Sequence, residues 1–303
     1  MRVRLYTPLL SAMLLLFSLP GIATAGDPVV TPARKGIVSI YGGAARASSY
    51  YNIDGRLKRF DTVQTDFSML LFGLTMNYGL TDWLELNLDV PVNYSKLTSN
   101  GRFPERSIFA PAYYGIGATY QLSTGKVNSS LSSMVKIPRG FHQGIYDDPE
   151  HPSFLSDGFF QVTTALNFGF NYKELWFKGS AGYNWRDEEP LDEIVYNAEV
   201  GLSKVEGTGI FVGFNGVVST GDVAQPLRPF YAGASGTIED QQQVDGGRGE
   251  FRTIDRENYF AINAGAFVEV TDNIVLSGRY AVRLFGANSL VLQGGYLGAG
   301  YKF

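Results

Sequence analysis

A chain of 303 residues with a formal net charge of −4, 36 glycines, 14% aromatic residues and no cysteine leaves few classes open. The missing cysteines exclude a disulfide framework, thiolate metal sites and a lipidated N-terminal cysteine. The mildly acidic balance excludes nucleic acid as a partner.

At the N-terminus, Arg2 and Arg4 precede an apolar run from Leu9 to Ile22, followed by Ala23-Thr24-Ala25. A basic start, an apolar centre and a small-residue cleavage site predict a signal peptide over 1–25. The run holds Ser11, Ser18 and Pro20, and it falls short of the roughly 20 apolar residues of a membrane helix. Residues 26–34 are expected to form a short periplasmic segment and 35–303 a transmembrane β-barrel. After Gly26 no stretch approaches the ~18 continuous apolar residues of a spanning helix. Hydrocarbon satisfies no open backbone groups, so a closed barrel is the remaining way across.

The mature chain alternates apolar and polar residues between turn signals. From Trp83 to Ser95, Leu84, Leu86, Leu88, Val90, Val92 and Tyr94 share one face, while Glu85, Asn87, Asp89, Asn93 and Ser95 share the other. Period two of this kind is a strand with one apolar side. Twelve such segments are predicted: Lys35 to Ser48, Thr65 to Tyr78, Trp83 to Ser95, Ala112 to Leu122, Val127 to Ile137, Gly158 to Tyr172, Leu175 to Arg186, Glu193 to Lys204, Gly209 to Ser219, Asn258 to Val270, Ile274 to Phe285 and Leu290 to Phe303. Fourteen is the second count, because Phe230 to Ile238 can add a strand or hairpin. Most segments meet the roughly 9–11 residues of a tilted membrane strand. The last one ends on Tyr301 and Phe303, one face of a closing strand and the expected assembly signal.

Connections alternate in length. GLTD at 79–82, STGK at 123–126, Lys173-Glu174, 205–208 and TDN at 271–273 are short, and the intervening loops are mostly long. Short turns belong in the periplasm and long loops outside. The fold class is therefore all-β, a transmembrane antiparallel up-and-down barrel, with a secreted β-sandwich as the alternative. The outer loops are expected at 50–64, 96–111, 138–157, 187–192, 221–257 and 286–289.

Tyr78-Gly79-Leu80-Thr81-Asp82-Trp83-Leu84-Glu85-Leu86 with Val90-Pro91-Val92, and Val135-Lys136-Ile137-Pro138-Arg139-Gly140 with Asp157-Gly158, carry a family resemblance. They resemble turn and strand-end blocks of the outer-membrane proteins named for a phenol meta-degradation pathway. That family is loosely similar to the long-chain fatty acid transporters of the outer membrane. The resemblance implies a barrel in the outer membrane of a Gram-negative-type bacterium. The transporters carry an N-terminal hatch, for which the residues before the first strand here are too few. The lumen is then either open or blocked by side chains and inward-folded loops.

The predicted inner face carries Glu85, Asp89, Lys136, Lys178, Arg186, Glu199, Glu269, Arg279 and Arg283, with asparagines at 87, 128, 167, 171, 184, 197, 215 and 263. Lys136, Lys178, Arg279 and Arg283 can form a cationic stripe for anionic solutes. The alternative is that they pair with Glu85, Glu199 and Glu269 across neighbouring strands. Tyr78, Tyr94, Tyr114, Tyr120, Tyr172, Trp185 and Tyr280 fit the interfacial girdle. Phe103, Ile108, Phe109, Phe141, Tyr146, Phe154, Phe230 and Tyr231 fall in outer loops, as a lid or a substrate-capturing pocket.

Catalysis finds little here. His142 and His151 share one predicted loop with Asp147, Asp148 and Glu150, where a solvated acidic loop explains them as well as a rim site does. No cofactor and no metal is expected. The reading is a channel or transporter for small molecules, hydrophobic or aromatic rather than sugars, with no chemical step. Its partners are outer-membrane lipid, the barrel assembly machinery and the cargo, and a monomer is expected. A structural or adhesive barrel binding a partner through its loops and a rim-located enzyme are the alternatives.

Overall fold

The computed structural model describes residues 28–51, 55–59, 66–98, 106–138, 160–187, 192–220, 258–287 and 289–303. The predicted signal peptide lies outside them, as do His142, His151, Phe103, Phe141, Tyr146, Phe154, Phe230 and Tyr231.

In chain order the strands are β1 (Gly36–Ala47), β2 (Ser49–Tyr51), β3 (Leu57–Arg59), β4 (Asp66–Thr81), β5 (Leu84–Thr98), β6 (Arg106–Pro111), β7 (Tyr113–Ser123) and β8 (Asn128–Pro138). They continue as β9 (Gln161–Tyr172), β10 (Leu175–Arg186), β11 (Glu193–Leu202), β12 (Thr208–Ser219), β13 (Asn258–Glu269), β14 (Ile274–Ala287), β15 (Ser289–Leu290) and β16 (Gln293–Lys302). The large sheet runs β4-β1-β16-β14-β13-β12-β11-β10-β9-β8-β7-β5, and β4 pairs with β5 to close the ring. The result is a closed, twelve-stranded antiparallel barrel, and the β-sandwich and the fourteen-strand count are set aside. With the short β2, β3 and β15 set apart and β6 and β7 taken as one, the barrel strands pair in chain order, and the first and last meet from Ile37 opposite Lys302 to Arg46 opposite Gln293. Phe303 completes that seam: its N–H donates to the Gly36 carbonyl at 3.0 Å and its ring stacks on Tyr78.

Three loop expectations are corrected. Residues 96–111 are not all loop, because β5 continues to Thr98 and β6 pairs with it. β6 and β7 occupy one position in the ring, broken where Pro111 lacks an N–H, and the Ala112 N–H donates to the Pro91 carbonyl at 2.8 Å across the joint. Phe109 thus stands on a strand opposite Tyr94, on the outer face rather than over the mouth. Within 50–64, β2 and β3 form a small sheet with β15 at the loop end of the barrel. Gly286 and Ala287 extend β14 and Ser289 begins β15, so Leu290 leaves the closing strand, which starts at Gln293. Alternation persisted through this stretch and could not reveal the change of partner.

The period-two pattern sorts the two faces as expected. Outward Ile40 and Leu297 are 62% and 73% exposed, as a lipid-facing surface requires. Tyr114, Tyr120, Tyr172, Trp185 and Tyr280 are exposed on the same outer side, and Trp83 meets Tyr120 edge-to-face. Inward glycines let rings lie flat across the wall. A side chain at Gly73 would enter the phenol of Tyr41, and one at Gly201 the indole of Trp176.

Candidate functional site

The interior of the barrel is the candidate site, and at the end with the short turns it is crossed by the segment before β1. Thr31 donates from both its N–H (2.8 Å) and its hydroxyl (2.5 Å) to Oε2 of Glu85, the second residue of β5. The Val30 N–H donates to Gln121 Oε1 on β7, and Gln121 Nε2 donates back to the Pro28 carbonyl, both at 2.8 Å. Pro28 then packs against Gly169 of β9. The segment therefore reaches from β1 to a strand on the far side of the ring, and Pro28, Val30 and Thr31 are buried. The sequence predicts a short periplasmic segment over 26–34; its described residues, from Pro28, enter the turn end of the barrel. The described residues before β1 number eight, and extended chain covers about 3.3–3.6 Å per residue, enough to bridge a narrow lumen.

Higher in the barrel, charge is paired across the wall. Glu199 of β11 takes Lys178 of β10 at 3.5 Å and Arg279 of β14 at closer range. The Arg279 guanidinium passes over the Phe211 ring of β12, 4.7 Å from its centre. Nearer the loop end, Arg186 pairs with Glu193 at 3.2 Å, and Asn184 links that carboxylate to the Thr163 hydroxyl. At the turn end Glu269 pairs with Lys302 at 2.6 Å. The Tyr113 hydroxyl donates to Asp89 Oδ2 at 2.7 Å, and Lys136 lies over the same tyrosine ring. Arg283 stacks 3.9 Å from the centre of the Tyr259 ring and donates to Ser289.

All nine sequence-predicted lumen residues face inward, but they do not stand together as a cationic stripe. Lys178 and Arg279 share one glutamate, Arg283 is engaged by an aromatic ring and a hydroxyl, and Glu85 is bound by Thr31 and by Asn87 at 2.6 Å. Lys178 pairs with Glu199 on the neighbouring strand and Arg279 reaches the same glutamate from β14, whereas Glu85 is held by Thr31 and Asn87 and Glu269 by Lys302 instead of by one of the four named cations. Glu85, Thr119, Ser130, Asn167 and Val195 are all at most 2% exposed. Water therefore does not reach these parts of the inner wall in this state, and what remains there is a polar core.

Thr31, Gln121, Glu193 and Lys302 were missed by sequence reasoning. Lys302, Gln121 and Glu193 keep the inward phase of their strands, so alternation carried a signal for them. Thr31 belongs to no strand and had none.

No family model matches the sequence, and no curated protein does. The likeness to the phenol meta-pathway family therefore rests on its turn and strand-end residues alone. Solved structures do match. An outer-membrane channel from Pseudomonas putida F1 is 14% identical, with 93% of this chain and 100% of that chain covered and a TM-score of 0.65. A NanC porin is 8% identical over 88% of this chain and 100% of that one, at a TM-score of 0.49. At this identity the first likeness is one of fold, that of outer-membrane barrels.

Proposed function

We propose that the protein is an outer-membrane channel for small, hydrophobic or aromatic molecules, that it performs no chemical step, and that the segment before β1 is its movable stop. The observation that carries this reading is how the segment is held. Between Pro28 and Thr31 it is fastened by side chains of the barrel wall, with no strand pairing, so it can leave without unzipping the sheet. The exposed apolar outer face supports a place in a lipid bilayer. Short turns then face the periplasm, the closing strand engages the assembly machinery and the barrel works as a monomer. Planar-bilayer recording tests the channel: brief or small currents from the intact chain and larger, longer ones once the segment is released.

A second reading, a structural or adhesive barrel, draws on the sealed inner wall. Silence in the bilayer after the segment is released decides for it. A rim enzyme would depend on His142 and His151, and a His142→Ala/His151→Ala variant with unchanged solute uptake removes them from the transport path.

A further inference from the structure

The inner wall from β8 to β13 carries an unusual sequence of layers. Ser130, Asn167, Ser180, Asn197 and Asn215 stand opposite one another in register across five successive strands, a row of hydroxyls and amides without charge. One step toward the loop end, Ala165, Gly182, Val195, Val217 and Tyr259 are likewise in register. Val195, Val217 and Tyr259 there form a buried apolar cluster with Ala261. One step toward the turn end, Lys178 stands opposite Glu199, which it shares with Arg279.

Three amides on this wall are half used. Asn167 spends its Nδ2 on the Ser130 and Ser132 hydroxyls, at 3.0 and 3.2 Å, and its Oδ1 has no partner. Asn263 Nδ2 donates to Asn215 Oδ1 at 3.4 Å, which leaves Asn215 Nδ2 and Asn263 Oδ1 without one. The three residues are 0%, 3% and 5% exposed, and buried amide atoms are ordinarily bonded. The wall therefore holds two free acceptors and one free donor beside an apolar strip. Pro28 of the segment packs on Gly169, the next inward residue of β9 after Asn167, so the segment borders this wall at its β9 side.

We infer that this wall is a recognition subsite for an uncharged small molecule with an apolar body and a hydroxyl group, uncovered when the segment withdraws. The inference rests on the channel reading and gives its cargo a chemical class. A hydroxyl gives its proton to an asparagine carbonyl and accepts the Asn215 N–H, while the body lies on Val195, Val217 and Tyr259. A carboxylate would face two carbonyl oxygens, while Lys178 and Arg279 are engaged by Glu199 and Arg283 by the Tyr259 ring and Ser289. A bare hydrocarbon would leave the amides as they are.

The test uses the full chain in detergent and four probes of one size: benzyl alcohol, benzoate, benzylamine and toluene. Saturable binding is measured in the wild type and in a Glu85→Ala background that loosens the segment. Benzyl alcohol is expected to bind at least tenfold tighter than the other three, and tighter in the Glu85→Ala background than in the wild type. Asn215→Ala/Asn263→Ala is expected to remove that preference, and Asn215→Gln to keep part of it, with heat-shifted gel migration confirming folded barrels. Should the double variant not fold, Val217→Asn reports instead, by weakening benzyl alcohol at least tenfold. Equal binding of toluene or of either ion, or a preference that survives in the folded amide or Val217 variant, overturns the inference. Conductance is read separately on the same proteins. Binding without current removes the channel reading and leaves the subsite, and current without the preference does the reverse.

Discussion

Removing the Glu85 carboxylate is the most direct perturbation of the segment that crosses the lumen. Glu85 Oε2 accepts two hydrogen bonds from Thr31, at 2.8 and 2.5 Å, in a buried site. Hydrogen bonds to a charged acceptor contribute about 1.5–3 kcal/mol each. In Glu85→Ala water re-enters the vacated space and recovers part of this, so the segment is loosened by about 3 kcal/mol. That is roughly a hundredfold change in the ratio of released to bound segment. The anchors nearer β1 survive, Ala33 N–H to Asp82 at 3.0 Å and Arg34 N–H to the Gly79 carbonyl at 2.7 Å, so the segment swings out while its base stays attached. Because the chain has no cysteine, a single Pro28→Cys reports the motion through its rate of reaction with a soluble thiol reagent, which follows the open population. Glu85→Ala is expected to raise that rate about a hundredfold and to lengthen the open events in a planar bilayer. Glu85→Gln, which keeps an acceptor oxygen, lies between. A folded Glu85→Ala barrel with unchanged labelling and unchanged current refutes the reasoning.

Three further outcomes follow from the same packing. Glu199→Gln strands Lys178 and Arg279 in a buried site, with a cost of roughly 3–5 kcal/mol in barrel unfolding by denaturant; an unchanged midpoint means that water already screens the pair. Leu297→Arg places a charge on the most exposed apolar position of β16 and is expected to lower folding stability in bilayers by roughly 2–4 kcal/mol. No loss would show that this face does not meet hydrocarbon. Gly73→Val drives a side chain into the Tyr41 phenol, with an overpacking penalty of about 1–3 kcal/mol read from thermal unfolding; an unaltered transition would place the ring elsewhere.

The twelve strands, their inward and outward faces and the short turns were legible in the residues, because a strand buried on one side only must alternate and each reversal needs turn chemistry. The same alternation placed Glu85, Lys178, Glu199 and Arg279 on the inner wall. What it could not give is partnership across the lumen. Glu199 and Arg279 are 80 residues apart, and Glu85 meets Thr31, which lies in no strand. Local period determines which side a residue faces. Only the closure of the ring, with its register and tilt, determines which inward residues meet, that Lys302 rather than a predicted cation takes Glu269, and that a few residues before β1 are long enough to cross the interior.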